Sequence, residues 1–316
     1  MRTLVGLLFL FIVLPMPSFA QKSVKSAGTM VADKVWVGQE LKRMGLSRGF
    51  IEESLQYYEP ESFKQTVTLN LLGFLTPPGQ HMNHVTDKAT NEASKFIKAN
   101  QAAFDLAEKK YKVSQGVISS LLWIETRHGD DMGRFHIVSV YLHLLQADLK
   151  ANRKALELLA VQKNNNQRSF NGRTIRTIIA ERTKRKSDWA REQILALARI
   201  RKQQHLDIKT LRGSYAGAFG LPQFIPSSYR SFAKSFKVKA TPNLRQAQDA
   251  IMSVANYLAK SGWDPHQEDA QVAALMKYNN SRDYADSILA IAKNLKIREK
   301  PADDQRVSSS EKEGDI

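Results

Sequence analysis

Apolar positions recur every three or four residues over most of this chain, and those stretches predict helices. In Ser114–Gly133, SQGVISSLLWIETRHGDDMG, Ile118, Leu121, Leu122 and Glu125 fall at i, i+3, i+4 and i+7. The spacing predicts a helix capped by Ser114 and ended by Gly129, with Glu125 on its apolar face. WVGQELKRMGLSRGFIEESLQYY reads as two short helices broken around Gly45, with Ser47 as a cap. Residues 87–111, 137–149, 188–204 and 247–259 carry the same helical period, and Val272 to Leu295 gives a last pair interrupted by KYNNSRDY. In residues 59–80 the run TVTLNLLGFL, among Pro60, Pro77 and Pro78, reads as an extended segment. No repeat and little strand signal accompany these patterns, so the fold class is mainly α.

The same pattern selects the candidate chemistry. A carboxylate on an apolar face loses hydration, and its pKa rises, as a general acid requires. The alternative is an ordinary helix-end glutamate paired with Arg127 or reaching water. Gly213–Pro226, GSYAGAFGLPQFIP, holds three Gly, two small Ala and two Pro, so its backbone can approach something closely. That is either a tight helix crossing or a groove lined by Ser214 and Gln223. Tyr278, Asn279 and Tyr284 combine flat faces with hydroxyl and amide donors that suit a sugar; a helix cap at Asn279 is the competing reading. His81-x-x-His84 has no carboxylate partner in sequence and reads as a surface pair rather than a metal site. No phosphate loop or dinucleotide fingerprint is present, and the GxSxG string Gly45-Leu46-Ser47-Arg48-Gly49 lies between two predicted helices rather than after a strand, so it makes no nucleophile elbow.

Composition adds a compartment. Residues 1–20 pair a short positive start at Arg2 with an apolar Leu4–Leu14 and a Ser18-Phe19-Ala20 cleavage pattern, so they read as a secretory signal peptide. Removing it takes one Arg from the formal net charge of +16, leaving +15. With no cysteine in the chain, neither disulfides nor a lipid-anchored cysteine is expected, and the mature protein should be soluble. An exported basic protein meets wall polymers, peptide carboxylates and anionic headgroups rather than nucleic acid. Residues 151–186 carry ten Lys/Arg against Glu157 and Glu181, a solvated face or a polyanion-binding flap. Residues 21–34 read as a disordered leader and 298–316 as a disordered tail, with one domain spanning 35–297.

Four stretches in order, IETRHGDDMG, GSYAGAFGLPQFIPSSYRSFA, AIMSVANYLAKSGW and KYNNSRDYA, resemble the B-type lytic murein transglycosylases of glycoside hydrolase family 103. The resemblance runs from Val35 to Leu295. It implies a lysozyme-like helical core with an additional helical subdomain and little or no sheet. It implies a periplasmic enzyme acting on peptidoglycan glycan strands without a cofactor; export and the lack of cysteine add the expectation of a monomer with no nucleic-acid partner and no stable membrane anchor.

By the same resemblance Glu125 is the single acid/base, and it forms a 1,6-anhydro ring on N-acetylmuramic acid. Ser214 would orient it. Gln223, Phe224, Tyr257, Tyr278, Asn279 and Tyr284 would line the glycan cleft, and Arg185 and Lys186 would suit peptide-stem carboxylates.

Four places depart from the family pattern. His128 stands where an aromatic is usual. Asp130 and Asp131 follow, which leaves a hydrolytic outcome with a second carboxylate open. Lys237 and Lys239 stand where a calcium loop in some relatives needs oxygen ligands, so no metal is expected. Residues 151–186 read as an insertion relative to the family.

Overall fold

The computed structural model describes residues 29–76, 79–164, 173–204 and 206–299. Their helices, in chain order, are α1 (Lys34–Arg43), α2 (Arg48–Gln56), α3 (Phe63–Leu72), α4 (Asp87–Ala99), α5 (Gln101–Tyr111), α6 (Gln115–Thr126) and α7 (Ile137–Leu145). Then follow α8 (Lys150–Asn164), α9 (Ile175–Gln204), α10 (Pro226–Phe232), α11 (Ala247–Lys260), α12 (Glu268–Tyr278) and α13 (Arg282–Glu299). One antiparallel ribbon pairs β1 (Phe135–His136) with β2 (Arg212–Gly213), Phe135 opposite Gly213 and His136 opposite Arg212. The mainly α class holds. Among the described residues no helix is long and apolar enough to cross a membrane.

The chain divides into two compact units. The acid-bearing unit comprises the described parts of 80–131 and 232–299; α6 packs there against α4 and α13, and α11 against α5. The glycine-loop unit comprises the described parts of 29–79 and 132–231. Its buried α7 lies against the long α9, whose inward residues Ile179, Thr183, Ser187, Ala190, Ile194 and Leu197 recur every three or four positions.

Several sequence expectations are met and several need correction. Ser47 caps α2 through Phe50 N–H at 3.4 Å, and Gly45 supplies the positive φ of 72° that breaks α1 from α2. The extended reading of TVTLNLLGFL is wrong: α3 is helical. Its Phe63, Val67, Leu71 and Leu72 join Ala147, Leu156, Ala160 and Ile179 in one core cluster. Burial of that face overrides the local β preference of Thr66, Val67 and Thr68.

The basic stretch is no separate flap in its described part. Residues 150–164 and 175–186 form α8 and the first turns of α9, and Leu156, Ala160 and Ile179 belong to the core. Order also begins before residue 35: Asn152 bonds both Val31 N–H and Val31 C=O, and Asp33 caps α1 at Trp36 N–H. The signal peptide, the leader up to residue 28 and the tail beyond 299 lie outside the described residues.

Candidate active site

Glu125 sits at the penultimate position of α6 and is only 6 % exposed. The chain turns at once after it. Arg127, His128 and Gly129 all have positive φ, 51°, 59° and 108°. Two such non-glycine residues in succession store backbone strain, so surrounding contacts must hold them. Thr126 Oγ1 accepts Gly129 N–H at 3.1 Å. The His128 ring stacks on Phe96 with centroids 4.1 Å apart and planes 4° apart, while its Nε2 lies 2.9 Å from Ser119 C=O.

Burial depresses the His128 pKa to about 4, with the Ser119 carbonyl and the Glu92 and Asp130 charges opposing the shift. The imidazole is therefore neutral and occupies the aromatic place by stacking. Gly129 does not itself end the helix; Arg127 does, its N–H bonded to Leu122 C=O and Trp123 C=O. Ser114 stands at the N-cap position without a side-chain cap bond.

The competing reading of Glu125 as a surface-paired residue fails. Arg127 is exposed and its guanidinium lies 5.0 Å over the Trp123 ring. The group on Glu125 is Tyr284, whose hydroxyl donates to Oε1 at 2.6 Å. Oε2 is buried and has no hydrogen-bond partner among the described residues. Loss of hydration raises the Glu125 pKa to about 8, against the opposing pull of the Tyr284 hydrogen bond. At neutral pH the carboxyl is mostly protonated, with one oxygen unengaged. Asp130 and Asp131, by contrast, are exposed.

Four aromatic rings lead to this acid. Phe232 meets Tyr257 at 4.6 Å, Tyr257 meets Tyr278 at 4.7 Å, and Tyr278 stacks on Tyr284 at 6.4 Å with planes 15° apart. Phe232 and Tyr257 are half-buried, whereas Tyr278 and Tyr284 are buried. Asn279 follows α12 in extended conformation, is 5 % exposed, and its Nδ2 has no partner among the described residues. An unpaired buried donor is costly, and a ligand oxygen would relieve that cost. Thus Tyr257, Tyr278, Asn279 and Tyr284, distant from Glu125 in sequence, share its unit, and the phenols form one ladder to it.

Ser214, Gln223 and Phe224 belong to the glycine-loop unit, where they share one tight turn. Gly213 and Gly217 are required by close approach. A Cβ on Gly213 would lie 2.0 Å from Ala218 C=O, and one on Gly217 2.4 Å from the Tyr141 ring. Tyr141 donates to Gly217 C=O at 2.7 Å. Ser214 Oγ accepts Ala218 N–H at 3.2 Å. Gln223 has φ 48°, and its Nε2 donates to Gly220 C=O at 2.9 Å and Met132 C=O at 3.3 Å. Phe224 is buried and exchanges backbone bonds with Phe219. These two side chains are internal braces of the turn here, rather than an open sugar-facing surface.

Arg185 is exposed on α9. Lys186 differs: its Nζ lies 3.8 Å over the Trp189 ring, and burial, aided by the Arg182 charge, lowers its pKa to about 7.

The loop 234–249 bears on metal binding. Asp249, 8 % exposed, accepts Phe236 N–H at 2.7 Å and Ser235 O–H at 3.2 Å on Oδ1, and Asn243 N–H at 2.7 Å on Oδ2. Both carboxylate oxygens are already taken by protein donors, and Lys237 and Lys239 add positive charge. This loop does not fit a hard cation.

Residues 33–275 match the model of the family described as Transglycosylase SLT domain, and the chain belongs to that family. It is 30 % identical over 168 residues to the membrane-bound lytic murein transglycosylase B of Escherichia coli (strain K12), covering 53 % of this chain and 37 % of that protein. The chain therefore spans well under half the length of this relative. The soluble lytic transglycosylase SltB1 from Pseudomonas aeruginosa superposes with a TM-score of 0.61 at 18 % identity, over 83 % of this chain and 97 % of that one. SltB3 from the same organism, solved in complex with NAG-NAM-pentapeptide, gives 0.60 at 15 % identity, over 83 % and 78 %. These likenesses show the fold.

Proposed function

We propose that the protein is a periplasmic peptidoglycan lytic transglycosylase with Glu125 as its single acid/base. The observation that carries this reading is the buried carboxyl with a pKa raised to about 8, one phenolic donor and one free oxygen, at the end of a four-ring ladder. Family membership and the SltB3 complex with NAG-NAM-pentapeptide support a glycan-peptide substrate.

Protonated Glu125 donates its proton to the oxygen linking muramic C1 to GlcNAc C4. The C1–O bond breaks, and the GlcNAc chain leaves with a new 4-hydroxyl. The carboxylate so formed is held by Tyr284. It then accepts the proton of the muramoyl C6 hydroxyl as that oxygen bonds to C1, closing the 1,6-anhydro ring and restoring the acid. No water is consumed.

Half-buried Phe232 and Tyr257 offer ring faces for sugars, and Asn279 Nδ2 a donor for an acetamido or hydroxyl oxygen. Ser214 braces the glycine turn at Ala218 N–H, and Gln223 and Phe224 keep that turn in shape. Exposed Arg185 takes peptide-stem carboxylates, a task for which Lys186, with a pKa near neutrality, is less suited.

Mass spectrometry of sacculi digested by the purified protein tests this reading. Anhydro-muropeptides, lost in Glu125→Gln, are expected. Reducing-end muropeptides would show that water completes the reaction, as in a muramidase using exposed Asp130 or Asp131. Wall binding without any cleavage would leave a non-catalytic wall protein.

A further inference from the structure

The His81-x-x-His84 pair reads from sequence as a surface feature, yet it lies against the acid's own partner. The short 3₁₀ turn His81–His84 keeps both imidazoles half-buried while Met82 and Asn83 are exposed. The His81 ring meets Tyr284 edge to face, centroids 5.4 Å apart and planes 86° apart. Its backbone N–H donates to the carboxylate of Asp283, the residue before Tyr284 in the first turn of α13. The His84 ring follows 6.4 Å from that of His81. A phenolic O–H prefers the plane of its ring, so what sets the ring plane also sets the direction in which the hydroxyl donates.

We propose that His81 is a positioning residue for the Tyr284–Glu125 pair. Its ring, set edge to face with that of Tyr284, fixes the phenol's plane, and its N–H fixes the turn that carries Tyr284, so the phenol O–H keeps pointing at Glu125 Oε1.

The electrostatics suit this task. Burial lowers the pKa of His81, against the pull of the Asp283 charge. Burial lowers that of His84 too, helped by Arg127 and His81 and opposed by Asp283. Both shifts favour the uncharged imidazole, and the phenols of Tyr278 and Tyr284 are pushed well above their usual range by burial. A cation beside Tyr284 would stabilise the Glu125 carboxylate and deprive the acid of its proton. Neutral rings hold the phenol without that cost.

The proposal rests on Glu125 being the acid, and its test is arranged to separate the two. The Glu125 carboxyl is titrated by carbon-13 NMR in the full chain for wild type, His81→Ala, His81→Leu, His81→Phe and Tyr284→Phe, and kcat and KM are measured on soluble glycan strands. Loss of the Tyr284 hydrogen bond removes an interaction that lowers the Glu125 pKa. His81→Ala and His81→Leu should therefore raise it in the same direction as Tyr284→Phe, and lower kcat about tenfold with KM nearly unchanged. His81→Phe, which keeps a ring edge, should restore both. The double variant His81→Ala/Tyr284→Phe should move the titration no further than Tyr284→Phe alone. An unmoved titration in His81→Ala and His81→Leu, with Tyr284→Phe shifted, would overturn the proposal, as would a His81→Phe protein no better than His81→Ala. A wild type that cleaves no glycan yet shows these shifts would refute the enzymatic reading and leave the positioning role standing.

Discussion

Glu125 and Asp249 are both carboxyl groups of the acid-bearing unit, 6 % and 8 % exposed, and their surroundings differ in kind. Asp249 lies in a loop that folds around it. Two backbone N–H groups and one hydroxyl donate to its two oxygens, and a carboxylate so engaged is a structural brace. Glu125 lies on an apolar helix face with a single phenolic donor, and one oxygen is left over. Burial is common to both. The number and type of donors decide which group is available to hand a proton to something else.

The comparison can be broken at either end. Glu125→Gln should lower turnover by about 10³-fold or more while the fold persists, measured as product release from sacculi beside circular dichroism. The same variant should be more stable than wild type near neutrality. The folded acid titrates near 8 and the unfolded one near 4.5, so wild-type stability is lost as pH rises through that window. The gain should be absent at pH 4 and on the order of 4 kcal/mol at pH 8 in denaturant melts.

Asp249→Ala should do the opposite. It leaves backbone donors at Phe236 and Asn243 without an acceptor and should lower stability by about 2–3 kcal/mol, with a smaller loss in Asp249→Asn. Adding or chelating calcium should not move either melt. Tyr284→Phe should cost about tenfold in turnover and shift the basic limb of the pH profile upward, since the acid loses the bond that stabilises its carboxylate.

The smallest effect concerns His128. Its folded pKa of about 4 lies below the unfolded 6.5, so it contributes stability that is present above 6.5 and lost as pH falls toward 4. His128→Phe keeps the stack on Phe96 and should flatten that part of the acid slope, at a cost below about 1 kcal/mol at pH 7. Urea melts at pH 7 and pH 5 would measure it.

What the sequence shows and what it hides follow from the range of the interactions. The placement of Glu125 on an apolar face is legible because one helix sets it, through Ile118, Leu121 and Leu122. The Ser47 cap and the Gly45 break are equally local. The donor on Glu125 is 159 residues away, so nothing in the neighbourhood of either residue pairs them. The sequence does mark Tyr284 as a sugar-binding candidate; its bond to the acid emerges only when α13 packs on α6. α3 is misread because Pro residues and β-branched positions are local signals, while its helix is stabilised by Leu156, Ala160 and Ile179 from distant segments. The basic stretch misleads in the same way. Its charges are visible in sequence, and its few buried positions, spaced at three or four, are the part that the core uses.

Cleavage by a lone acid requires above all that Glu125 hold its proton at neutral pH in the folded protein. Carbon-13 NMR of the Glu125 side-chain carboxyl, assigned by its absence in Glu125→Gln and followed from pH 4 to pH 10, reads this directly. A single transition near 8 is the predicted result, with glycan cleavage falling over the same range. A transition near the ordinary 4.5 would mean that Glu125 is a carboxylate at neutral pH, and would contradict its role as the lone acid.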